Sequence, residues 1–99
     1  MRRSVTLRRA ARTEFDDAGD WYEQQRRGKG IEFKDAVKKV FDRIAANPKL
    51  HGIVLKDIRK AVVQGFPFCV YYRERPAGAV VVLSIFHTSR NPAIWQGRA

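Results

Sequence analysis

The stretch VLSIFHTSRNPAIWQ, Val82 to Gln96, ends an apolar run in three groups with chemical reach. His87 can take or give a proton near neutral pH, Arg90 can grip an anion, and Trp95 can stack on a base. Arg59 and Arg73, on two strands predicted just upstream, could converge with them on one sheet surface. Cleaving RNA through its 2′-hydroxyl needs a base for that proton, cations against the charged phosphorane and an acid for the leaving oxygen. Arg59, Arg73, His87 and Arg90 are the candidate catalytic set, and the same residues with Trp95 are the candidate target-binding set. Each also has a plainer role. His87 can hydrogen-bond a backbone group at a strand end, Arg59 and Arg73 can be ordinary exposed strand arginines, Arg90 can cap the tail, and Trp95 can pin the terminus by packing.

These groups need a scaffold to bring them together. SVTLRR alternates Val5 and Leu7 with polar neighbours, the pattern of a short strand with one buried face. TEFDDAGDWYEQQRR places Phe15, Ala18 and Tyr22 at helical intervals, with Thr13 as N-cap, acidic residues in the first turn, and Gly28 and Gly30 as the stop. In a second helix Phe33, Val37, Val40, Phe41 and Ile44 form one broad apolar stripe, which Asn47 and Pro48 end. The short link predicts a helical hairpin whose apolar face needs a sheet to cover it.

The remaining sequence supplies that sheet. DIRKAVVQ reads as a strand, and in FCVYYRER Phe68, Val70 and Tyr72 face one way while Cys69, Tyr71 and Arg73 face the other. After a turn at PAG, AVVVLSIFH is apolar on both faces, as an interior strand is. The expected layout is α+β, with element order β-α-α-β-β-β. Trp21, Tyr22 and Phe33 read as packing residues, His51 as a solvated loop residue, and the acidic face of the first helix as solvated.

Ninety-nine residues predict a single domain spanning 1–99 with one modest core. Twenty Lys and Arg against ten Asp and Glu give a formal charge of +10, which attracts nucleic acid, ribonucleoprotein or an acidic protein. Five of the acids lie between Glu14 and Glu23, while residues 57–99 hold only Asp57 and Glu74 against six basic residues, so the second half is the expected anion-facing part. The basic N-terminal residues Arg2, Arg3, Arg8, Arg9 and Arg12 can contact nucleic acid or simply keep the chain soluble. The lone Cys69 excludes an intramolecular disulfide, and no Cys or His spacing suggests a metal site or a cofactor. The longest apolar run, Ala79 to Phe86, is too short to span a membrane, and a cytoplasmic setting is expected.

The segments DWYEQQRRGKGIEFKDAVKKVFDRIAANPKLH, DIRKAVVQGFPFCVYYRE and VVVLSIFHTSRNPAIWQ, in that order, resemble the RelE/ParE superfamily of toxins from bacterial type II toxin–antitoxin systems. The resemblance runs from about Thr13 to Arg98, and its most specific wording is FHTSRNPAIW. It implies a two-helix hairpin packed on a twisted, mainly antiparallel sheet, and a cognate antitoxin protein as partner, acidic to match the charge. It also implies one of two actions. RelE-like members bind the ribosome and cleave mRNA, and their Arg, Lys and Tyr or His positions map closest onto Arg59, Arg73 and His87. ParE-like members, the plasmid-stabilising branch, poison DNA gyrase and need no nuclease chemistry. Here the RelE-type lysine pair is matched only loosely by Lys56 and Lys60, and Trp95 stands near where the C-terminal tyrosine would be. The resemblance therefore points to a ParE-like gyrase poison, with a ribosome-dependent mRNA interferase as the alternative and a plain nucleic-acid-binding module as the third reading.

Overall fold

The computed structural model describes residues 3–99; Arg2, one of the basic residues noted above, lies outside them. In chain order the elements are β1 (Val5–Leu7), α1 (Arg9–Gln25), α2 (Lys29–Ala46), β2 (Ile53–Leu55), β3 (Ile58–Val62), β4 (Phe68–Glu74), β5 (Val80–His87) and α3 (Ala93–Gln96). The sheet order is β1-β5-β4-β3-β2. Among the described residues only the β1–β5 pair is parallel, and the other three pairs are antiparallel.

The first helix starts a full turn earlier than its sequence suggests. Arg8 is the N-cap, in an extended conformation, and Thr13 lies inside the helix. The reason is Ala11, a small residue that begins the buried stripe continued by Phe15, Gly19 and Tyr22. The acidic residues consequently fall beyond the first turn. Gly28 ends the hairpin link in the left-handed region, at φ 88°, a conformation glycine adopts without strain. Gly30 belongs to the first turn of α2 and not to a stop. The first turn of α2 has no side-chain cap from Gly28. The Glu23 carboxylate reaches over from α1 and accepts the N–H groups of Gly28 and Gly30 at 3.0–3.1 Å. A carboxylate at a helix N-terminus also complements the dipole there.

The helices cross where a glycine faces a glycine. A Cβ built on Gly30 would stand 2.5 Å from the Gly19 carbonyl oxygen, so only hydrogen fits at that position. This close approach lets both apolar stripes reach the sheet together. Phe33, Val37, Val40 and Ile44 of α2 join Phe15 and Tyr22 of α1 over Phe68, Val70 and Tyr72 of β4 and Val82 and Ile85 of β5. The opposite sheet face holds Ile58, Cys69, Tyr71, Leu83 and Phe86, covered by Trp95 of α3. The alternation expected along β4 is therefore the observed one, and β5 is interior and packed on both faces. An irregularity between β4 and β5 sets Tyr71 opposite Ser84 and Tyr72 opposite Val82, which shifts the inward phase of β5 from Val82 to Ile85.

Two features stand apart from the sequence expectation. β2 is an additional edge strand of three residues, joined to β3 by a tight turn at Lys56, φ 51°. His51 is half-buried, its ring edge-on to that of Tyr72 with centroids 6.2 Å apart. Tyr72 donates its buried hydroxyl to the Pro48 carbonyl at 2.7 Å, and burial pushes its phenol pKa up to about 12. No helix among the described residues is long and apolar enough to cross a membrane.

Candidate functional site

β5 delivers His87 to the end of the sheet, where it pairs with Phe68 of β4; the two rings meet edge to face with centroids 5.0 Å apart. The chain then turns, with the Arg90 N–H bonded to the His87 carbonyl at 3.1 Å. The Ser89 backbone N–H donates to His87 Nδ1 at 3.1 Å, and the Ser89 hydroxyl lies 2.7 Å from the same nitrogen. A ring nitrogen that accepts an N–H carries no proton, so neutral His87 holds its proton on Nε2. In that tautomer the free side of the ring is a hydrogen-bond donor and not a general base.

A groove of about 600 Å³ opens beside this turn, between α1 and the ends of β4 and β5. Ala18, Tyr22, Pro67 and Phe68 give it an apolar floor, and Trp21, Lys29, His87 and Arg90 also line it. Trp21 is not the packing residue that its sequence context suggests: it remains 56% exposed, its ring edge-on to Tyr22 at 5.1 Å. It lies one residue before Tyr22, about 100° around the helix from the buried stripe. Lys29 Nζ stands 5.3 Å from the Tyr22 ring centroid, within cation–π range. Arg90 places its guanidinium 5.2 Å from the Phe86 ring and pairs with Glu14 at 3.3 Å. An apolar floor with cations and a donor at its margin suits a ligand that offers an apolar group next to a carboxylate or phosphate.

The five candidate residues do not form one cluster. Arg59 pairs with Tyr72 in the β3–β4 ladder, and His87 pairs with Phe68, four residues back along β4. At about 3.3 Å per residue the two positions are roughly 13 Å apart along the strand. The Arg59 side chain turns to the loop after α2, where Nη1 donates to the His51 carbonyl at 2.6 Å. Arg73, on the face of β4 opposite Tyr72, binds Asp57 Oδ1 through Nε at 3.1 Å and Nη2 at 3.0 Å. Trp95 takes the packing role: it is 4% exposed and stacks on Tyr71 with centroids 3.9 Å apart. Only His87 and Arg90 share a surface, and Trp21, Lys29 and Ser89 join them there without having been picked out by the sequence. The KG pair after the first hairpin helix and the S-R step after His87 are the signals that could have found Lys29 and Ser89, and nothing comparable marks Trp21.

One carboxylate on the first helix is not solvated. Glu14 has only 12% of its side chain exposed and binds Ser84, Ile85, Arg90 and Arg98. Among the described residues, no three His, Cys, Asp or Glu side chains gather as a metal site would require.

This arrangement defines a class: a small α+β domain, two helices laid on one face of a five-stranded sheet, with a basic, aromatic-rimmed groove at the sheet's end. The same fold occurs in a solved structure described as "Chromosomal ParDE TA system from P. aeruginosa". That match has a TM-score of 0.76 at 16% identity and covers 88% of this chain and 97% of the other. The family profile "ParE toxin of type II toxin-antitoxin system, parDE" matches residues 5–92, and the chain belongs to that family. No curated protein sequence matches it.

Proposed function

We propose that this protein is a growth-inhibiting toxin that acts in the ParE manner, by binding DNA gyrase, and that a cognate acidic antitoxin neutralises it. Membership of the ParE family supports the toxin reading. The observation that carries the choice of action is the dispersal of the would-be nuclease groups. Arg59 and Arg73 are occupied by a backbone carbonyl and by Asp57, away from His87, and His87 presents a donor where a nuclease needs a base. A protein that works by contact needs no such convergence, and an open groove with a basic margin serves it well. The charge of +10 favours fast capture by an acidic antitoxin. The proposed setting is the cytoplasm, where gyrase and DNA are found.

The decisive experiment adds the purified chain to gyrase and relaxed plasmid. Inhibited supercoiling or trapped cleavage complexes are expected, along with growth arrest and a DNA-damage response on induction. Cutting of mRNA on programmed ribosomes, abolished by His87→Ala and Arg73→Ala, would instead establish the interferase reading. Salt-sensitive binding to free nucleic acid without toxicity would favour the plain binding module.

A further inference from the structure

The parallel ladder between β1 and β5 stops at Leu7 and Val82. From Leu83 to His87, β5 has β4 on one side and, among the described residues, no strand on the other. Glu14 of α1 fills that open edge. Its Oε1 accepts the Ile85 N–H at 3.2 Å and the Ser84 hydroxyl at 2.9 Å. Arg98 Nη1 donates to the same oxygen at 2.9 Å and to the Leu83 carbonyl at 3.2 Å. Oε2 takes Arg90 Nη1 at 3.3 Å. A carboxylate this enclosed is tolerated because it is paired and hydrogen-bonded. All four donors belong to β5 or to the segment that follows it, so one helix residue sets the direction in which the chain leaves the sheet.

We propose that Glu14 is a positioning residue for the toxic action: it holds Arg90, three residues beyond His87, in the place from which Arg90 meets the target at the groove. The proposal rests on the reading of the groove as the target-contacting surface. Glu14 is largely enclosed and acts through Arg90, which is itself 45% exposed.

The test is a double-mutant cycle on the full chain, read as inhibition of gyrase supercoiling, with thermal melting followed in parallel. Arg90→Ala, which removes a 45% exposed side chain together with its contacts to the Phe86 ring and Glu14, is expected to weaken inhibition by about tenfold. Glu14→Gln keeps an acceptor for Ile85 and Ser84 but has no charge for Arg90, and a comparable loss is expected. The double variant should be no weaker than Arg90→Ala alone. A purely structural role would lower the melting temperature and add its loss to that of Arg90→Ala. Additive losses, or full potency for either single variant, overturn the proposal. Should Glu14→Gln fail to fold, Glu14→Asp replaces it in the cycle and must show the same non-additivity. A wild-type chain that arrests growth without touching gyrase refutes the gyrase reading alone, and the same cycle is then scored on growth arrest. A wild-type chain inert in both assays ends both proposals.

Discussion

At the scale of single residues, His51 couples stability to pH. Burial holds its imidazole pKa below the ordinary 6.5, and the nearby Arg43 and Arg59 cations lower it further. Its Nε2 is buried without a hydrogen-bond partner. A folded-state pKa below the unfolded one means that the unfolded chain takes up the proton first as pH falls. This contribution is therefore complete above about pH 6.5 and is lost as pH drops from there through the folded-state value. Thermal melts between pH 7.5 and pH 5 should show a decline that His51→Gln makes shallower; equal declines in the two proteins would count against the assignment. Cys69 is a second residue whose surroundings decide its behaviour. Burial raises its thiol pKa, with Lys60 opposing, so the folded chain should react slowly with thiol reagents and the unfolded chain fast.

At the scale of elements, the glycine crossing of α1 and α2 makes two superficially similar substitutions diverge. A methyl on Gly30 meets the Gly19 carbonyl oxygen at 2.5 Å, a backbone atom that cannot move aside without parting the helices. Gly30→Ala should cost about 2 kcal/mol or more, a drop of roughly 8 °C or more in melting temperature for a domain this size. A methyl on Gly19 meets only the Lys34 side chain, which is free to swing away. Gly19→Ala gains about 1 kcal/mol of helix propensity and weakens the Lys34–Asp16 pair at 3.3 Å, so its melting temperature should change little. Equal effects of the two changes would refute the crossing. Much at this scale was legible in the sequence, because period speaks directly to burial: the α2 stripe and the two faces of β4 follow from spacing alone. The start of α1 was not, since Ala11 is too small to mark an apolar face in a basic segment. Nor was β2, whose three residues carry no alternation long enough to read.

At the scale of the whole molecule, register decided what the sequence could not. Arg59, Arg73 and His87 have the right types for a nuclease, but pairing Arg59 with Tyr72 and His87 with Phe68 sends them to different ends of the sheet. No local pattern reports which strand ends coincide. The Glu14–Arg98 pair spans 84 residues and was equally invisible, as was the meeting of Trp21 with the β5 exit. The net charge was legible throughout, and it carries a prediction of its own. Association with an acidic antitoxin should slow markedly between 50 and 300 mM salt, chiefly through the on-rate. An on-rate indifferent to salt would mean that the +10 charge plays no part in capture.

The two tryptophans occupy opposite environments, one at the rim of the groove and 56% exposed, the other 4% exposed against Tyr71. The chain thus carries two intrinsic fluorophores that report on separate events. Acrylamide should quench Trp21 first, and a molecule seated in the groove should shield that emission while leaving Trp95 unchanged. Loosening of the C-terminal segment would instead shift the Trp95 spectrum to the red. With single Trp→Phe variants to assign the signals, occupancy of the groove and release of the tail become separately measurable on the unlabelled protein.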